Sequence, residues 1–170
     1  MRVESFDPVV GATPRALILG SMPGRDSLEA AEYYAHSRNV FWRILADLDI
    51  APGDTYDERI AALGQHDVAL WDVLKACDRE GSLDSEIVRS TEQPNDIPGF
   101  LREHPTIRAL FFNGSKAEKA FRAHVAPDLS PAQRESIALR RLPSTSPAHA
   151  VPYERKLTEW RALLLFLGAA

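Results

Sequence analysis

A chain of 170 residues fits one domain spanning 1–170 and is long enough to bury a substantial core. With 45% apolar and 26% charged residues it falls outside the disordered and fibrous classes. No run approaches the roughly 18 to 20 apolar residues that a membrane-spanning helix needs, and the net charge of -4 argues against a protein that coats nucleic acid without specificity.

In chain order, the opening MRVESFDPVVGATPRA places acids and prolines where a signal peptide would need its apolar stretch, so a cytoplasmic protein is expected. Arg15 to Gly20 (RALILG) is a short apolar run between Pro14 and Gly20, the profile of a buried strand. Ser27 to Tyr34 carries Leu28 and Ala31 at helical spacing. A second helix is predicted from about Asn39 through Val40 to Leu48, and a third over Asp57 to Leu63, ended by Gly64. Asp67 to Leu74 (DVALWDVL) reads as a second strand. Lys75 to Ser90 is a polar connection too mixed to assign. A helix over Ile97 to Glu103 stops at His104-Pro105. Ile107 to Asn113 is the third strand, followed by a helix from Lys116 to His124. Ser136 to Leu142 is the fourth strand, and Pro152 to Leu167 a closing helix.

Strands alternating with helices predict an α/β fold with a parallel sheet covered on both faces. Such sheets bind ligands where successive strand tips gather. The tips are Gly20 to Gly24, Asp72 to Lys75, Asn113 to Ser115 and Leu142 to Ala148, all rich in Gly, Pro, Ser, Asn or Asp. Gly20 and Gly24 let backbone approach a ligand, and Asn113 offers a donor and an acceptor together. Ser144, Thr145 and Ser146 lie between two prolines, as in a rigid hydroxyl-bearing loop suited to phosphate. Arg140, Arg141, Arg155, Lys156 and Arg161 outnumber the acids around them. The cluster Tyr33, Tyr34, His36, Arg38, Asn39, Phe41 and Trp42 suits a flat polar ligand. Cys77 is the only cysteine, and the five histidines show no metal-ligand spacing, so neither a metal nor a cofactor is expected.

Each of these features has a plainer reading. Asn39 stands where a helix starts and serves as an N-cap; Tyr33, Phe41 and Trp42 fit a core stripe. Asn113-Gly114 is a common strand exit, Asp72 can bond nearby backbone, and Arg140 and Arg141 suit a solvated face.

Five segments in order join these readings: G-S-M-P-G with Ser27-Leu28 behind it (Gly20 to Gly24), Y-Y-A-H-x-R-N-x-F-W-R (Tyr33 to Arg43), W-D-V-L (Trp71 to Leu74), F-N-G-x-x-A (Phe112 to Ala117) and L-P-S-T-S-P-A (Leu142 to Ala148). Together they resemble the uracil-DNA glycosylase superfamily, and within it the hypoxanthine-DNA (deoxyinosine) glycosylase branch. The resemblance implies a three-layer α/β/α sandwich around a four-stranded parallel sheet. It also implies a monofunctional, expectedly monomeric enzyme that flips a deaminated base out of DNA and hydrolyses its glycosidic bond. The substrates implied are chiefly hypoxanthine, with uracil or xanthine as secondary candidates, in double-stranded or alternatively single-stranded DNA. Met22 and Leu142 stand where the family's uracil enzymes carry a polar residue and a histidine, so the chemistry is placed instead on Asn39.

The roles that the resemblance carries over follow its motifs. Asn39, Asn113 and Asp72 are the catalytic set, with Asn113 on the base edge and Asp72 assisting the water. Gly20, Ser21, Met22, Pro23, Gly24, Tyr33, Tyr34, Phe41 and Trp71 wall the base pocket. Arg38, Ser144, Thr145, Ser146, Pro147 and His149 meet the DNA. The competing readings are a family enzyme acting mainly on uracil or mismatched bases, and a non-catalytic nucleic-acid-binding module. A small-molecule enzyme is disfavoured because no lysine follows the glycines as in a phosphate loop.

Overall fold

The computed structural model describes residues 1–168. In chain order its strands are β1 (Arg2–Glu4), β2 (Ala16–Gly20), β3 (Val68–Asp72), β4 (Leu74–Arg79), β5 (Ile87–Pro94), β6 (Ala109–Asn113) and β7 (Ala138–Leu142). The helices are α1 (Arg25–Ala30), α2 (Phe41–Asp47), α3 (Tyr56–Gln65), α4 (Ile97–Glu103), α5 (Ser115–His124), α6 (Pro131–Ser136) and α7 (Tyr153–Trp160).

The four apolar runs form one parallel sheet in the order β3-β2-β6-β7. Strand alternation sends neighbouring side chains to opposite faces. Leu17, Leu19, Leu110 and Phe112 pack with α4 and α5 through Phe100, Leu101, Ala117 and Phe121. Ala16, Ile18, Ala109 and Phe111 pack on the other face with α2 and α7 through Phe41, Ile44, Leu45, Leu157 and Trp160. Helices therefore cover both faces, giving the expected α/β/α layering. Among the described residues no helix is long and apolar enough to cross a membrane.

The structure differs from the sequence expectation in several places: the second strand ends at Asp72 and Leu74 opens β4, and the helix expected from about Asn39 starts at Phe41. The unassigned polar stretch after Leu74 is an antiparallel hairpin, β4 with β5, extended by β1 into a second, three-stranded sheet. Its register shifts at Leu74/Ala76 and Ala76/Asp78 break the period-two pattern that marks a strand. Residue 136 ends α6 rather than beginning β7, because Ser130 and Gln133 form a capping box ahead of it. The first helix is shorter than expected: Ala31 turns left-handed at its C-cap, leaving Tyr33 and Tyr34 in a loop. The closing helix tightens into a 3-10 turn over Arg161–Leu165.

Candidate active site

The tips of β2, β3, β6 and β7 open into one cleft of about 1560 Å³. Parallel register sets Gly20 beside Asp72, and Asn113 beside Leu142. Gly20 is required by close approach: a methyl on its Cα would lie 2.4 Å from Asp72 Oδ1 and 2.9 Å from the Tyr34 hydroxyl. Asp72 is buried, and its Oδ2 has no hydrogen-bond partner among the described residues. Burial pushes its carboxyl up to about 7, the Asp84 carboxylate adds to the rise, and the Arg79 guanidinium opposes it. Tyr34 sits in the left-handed region at φ 55, an uncommon conformation for a bulky residue. Its ring stacks on Phe41 at 4.0 Å, while its hydroxyl is buried and likewise without a partner among the described residues. Burial, and then the nearby Asp72 charge, raise that hydroxyl above its ordinary range, against a smaller opposing effect of the adjoining Asn113 side chain, so it stays a donor.

The unpartnered carboxyl has a consequence for stability. The unfolded carboxyl ionises near pH 4, whereas the folded one holds its proton to about 7, so the native state binds the extra proton between these values. Stability contributed by this group is therefore full below pH 4 and falls as pH rises towards 7, by at most about 4 kcal/mol. Asp72→Asn is expected to flatten that fall. Urea denaturation at pH 4.5 and 7.5 (approximate set points bracketing the window) measures it, and an unchanged difference between wild type and variant would refute the assignment.

Asn39 closes the other side. Its Oδ1 accepts from the Phe41 backbone N–H at 3.0 Å, a short side-chain turn onto the first residue of α2, while the N-cap position itself is Val40 rather than Asn39. The local bond and the functional reading are compatible, because that bond uses the oxygen and Asn39 also lines the cleft. The Asn39 N–H donates to the His36 carbonyl and the Val40 N–H to the Thr145 carbonyl, which locks this turn to the last loop.

That loop is a built wall. Asn113 donates from Nδ2 to Thr145 Oγ1 and accepts from the Thr145 N–H at Oδ1, both at 3.0 Å. The buried Lys156 donates to the Ser146 carbonyl and the Trp160 indole to the Pro143 carbonyl. Gly114, at φ +95, lies close enough to Ser144 that a Cβ would come within 3.0 Å of it. Thr145 is consequently buried in this clamp, whereas Ser144 and Ser146 are half-buried and Pro147 and His149 exposed on the rim.

The facing wall is the Gly20–Gly24 loop. Arg79, almost wholly buried, donates to the Pro23 and Gly81 carbonyls and so joins this loop to the β4–β5 hairpin. Ser21 donates to Asp84, and the Arg25 N–H donates to Ser82. Met22 is buried in the core below, which suits a thioether at a position without polar work. Burial lowers the Lys156 ammonium from its ordinary value.

Of the residues singled out in the sequence, the structure brings Gly20 through Gly24, Tyr33, Tyr34, Arg38, Asn39, Asp72, Asn113, Ser144 through Pro147 and His149 to this one cleft. It does not bring Phe41 or Trp71. Phe41 lies fully buried beneath Tyr34, and Trp71 packs on Phe100 with its indole N–H on the Phe6 carbonyl. Tyr33 borders the cleft but is mostly core, its hydroxyl donating to the Asp7 carbonyl. The sequence reading leaves out Arg79, Asp84, Lys116 and Lys119, and counts Lys156 only within a basic stretch. Of the four left out, only Lys116 and Lys119 had a sequence signal, an i, i+3 pair just beyond the Asn113 tip. Lys116 pairs with Glu92, which also bonds His124, and Arg141 pairs with Glu118. Among the described residues no group of His, Cys, Asp and Glu could hold a metal ion.

Comparisons with known proteins bear on the family and the fold. The model of the uracil DNA glycosylase superfamily matches residues 8–166. A hypoxanthine DNA glycosylase of Methanosarcina barkeri (strain Fusaro / DSM 804) is 35% identical over 119 residues, 69% of this chain and 74% of that protein. Another of the same description, from Methanosarcina acetivorans, is 33% identical over 165 residues, 94% of this chain and 96% of that one. The solution NMR structure of a candidate uracil DNA glycosylase from Methanosarcina acetivorans superposes with a TM-score of 0.77 at 31% identity, covering 96% of both chains. The chain belongs to the uracil DNA glycosylase superfamily.

Proposed function

We propose that this protein is a monofunctional DNA glycosylase that releases hypoxanthine from deoxyinosine, with uracil and xanthine as secondary substrates. The observation that carries the reading is the cleft itself: a buried polar floor of Asp72 and Tyr34 shares it with an asparagine whose amino group has no hydrogen bond among the described residues. At about 1560 Å³ it exceeds the usual small-ligand pocket of about 300–1,000 Å³, leaving room for a flipped nucleotide and its flanking backbone. The relatives described as hypoxanthine DNA glycosylases support the same chemistry.

In this reading the target nucleotide leaves the helix, at a cost of a few kcal/mol that is least for a mispaired base. The bond from C1′ to the base nitrogen breaks with its electron pair going to the base, and water adds at C1′, leaving an abasic sugar and the free base after proton transfer. Asn39 donates from Nδ2 where charge collects or where the water is held; fixed donors of this kind act without reorganising in the transition state. Ser144 and Ser146 bond flanking phosphates, Arg38, Arg140 and Lys119 supply positive potential at the rim, and Pro147 and His149 enter the gap left in the stack. Thr145 and Asn113 hold that wall in place. The two lysines lining the cleft belong to α5, with Lys116 paired to Glu92, so strand scission by an amine is not expected.

Duplexes with a single inosine, uracil or xanthine, incubated without added metal and scored for alkali-labile sites, test the reading. Inosine is expected to be cut fastest. Tight binding with no cleavage of any duplex would instead favour the binding module.

A further inference from the structure

The buried polar groups at the strand tips fall into two sets. Asn113 has both ends of its carboxamide engaged by Thr145. Asp72 Oδ2 and the Tyr34 hydroxyl have no partner among the described residues, although Asp72 is only 3% exposed. Buried polar atoms are ordinarily paired, and each exception asks for a reason. A third such atom, Arg79 Nη1, belongs to the end of β4, whereas the residues of the first two meet at Gly20: the Tyr34 hydroxyl and the other Asp72 carboxyl oxygen, Oδ1, lie 2.9 and 2.4 Å from the point where a Gly20 Cβ would stand. The missing side chain leaves a carboxyl and a phenol side by side on the cleft floor, and both residues line the cleft.

The deaminated bases share one chemical edge. Deamination replaces a ring nitrogen acceptor beside an amino donor with a ring N–H donor beside a carbonyl acceptor. In hypoxanthine these are N1–H and O6. Adenine presents the reverse order, with an amino donor at N6. Resting on the glycosylase reading above, we propose that Asp72 and Tyr34 are the pair that reads this lactam edge and so separates hypoxanthine from adenine, the Asp72 carboxyl accepting from the ring N–H and the Tyr34 hydroxyl donating to the adjacent carbonyl. Asn113 then serves to hold the Thr145 loop, and Asp72 works on the base rather than on the attacking water. The stack of Tyr34 on Phe41 keeps the phenol in place, and Arg79, through Pro23, keeps the loop after Gly20 from drifting over it.

The test compares inosine with 1-methylinosine in the same duplex, for the wild type and for Asp72→Asn, Asp72→Leu and Tyr34→Phe. Asparagine keeps a carbonyl acceptor of the same shape; leucine keeps bulk and loses it. A site that hydrogen-bonds its substrate rejects an analogue lacking the group by large factors, so 1-methylinosine should be cut at least about 100-fold more slowly than inosine by the wild type. On inosine, kcat/KM should fall by about 100-fold for Asp72→Leu and about tenfold for Tyr34→Phe, and Asp72→Asn should stay within about tenfold of wild type. Equal rates for the leucine and asparagine variants, with a wild type active on inosine, would overturn this assignment alone. If Asp72→Leu does not fold, the wild-type comparison decides, and cutting of 1-methylinosine at the inosine rate overturns it. A wild type that releases no hypoxanthine removes the glycosylase reading and this inference with it.

Discussion

Asn39→Asp is expected to lower single-turnover excision of hypoxanthine by about 100- to 1,000-fold while the protein remains as stable as wild type. The substitution separates two roles that one side chain performs. Asn39 Oδ1 accepts from the N–H of Phe41, the first residue of α2. A carboxylate keeps that acceptor, and its charge is favourable at a helix N-terminus. What it removes is the Nδ2 donor. Asn39→Ala removes donor and acceptor together, so it should lose similar activity and, in addition, about 1 kcal/mol of stability for the lost bond to the Phe41 N–H. Thermal melts beside the kinetics separate the two effects. An Asn39→Asp protein with wild-type rates would show that the amino group does no chemistry.

Gly20→Ala is expected to abolish measurable excision and to lower Tm by several degrees. The added methyl would fall 2.4 Å from Asp72 Oδ1 and 2.9 Å from the Tyr34 hydroxyl, well inside contact distance. Relief requires moving buried side chains, and overpacking of this kind costs about 1–3 kcal/mol. Gly24→Ala is the control in the same loop. Its Cβ would meet nothing nearer than Ser82 at 3.9 Å, and Gly24 already has φ -73, which alanine adopts freely. It should melt like the wild type and keep most of its activity. Equal behaviour of the two variants in melts and excision assays would contradict the close-packed floor described above.

The parallel sheet was legible because its strands are short apolar runs with turn residues at each tip, and because tips of parallel strands must gather at one edge. Gly20, Asp72, Asn113 and Leu142 mark that edge in the sequence, and the register sets them side by side. The β4–β5 hairpin was not legible. Its bulges interrupt the alternation, and β5 exposes polar side chains along most of its length. With the hairpin hidden, the wall it supplies was hidden too: nothing in the composition around Arg79 shows that its guanidinium is buried against the Pro23 carbonyl. The aromatic cluster shows the opposite limit. Tyr34, Phe41 and Trp42 are close in sequence, but the left-handed turn at Tyr34 turns one ring to the cleft floor while Phe41 goes to the core. Spacing alone does not reveal such a turn. Trp71 precedes Asp72 in the same strand, and alternation sends it to the opposite face, against Phe100.

The most direct measurement of the central claim is free base released in a single turnover. A duplex with one inosine is mixed with excess enzyme and a chelator, and the small-molecule fraction is analysed by mass spectrometry. The account predicts free hypoxanthine in equal amount to abasic sites, with the sugar–phosphate backbone intact until alkali is added. A saturated complex that yields no hypoxanthine, or yields it only with a broken strand, would contradict it.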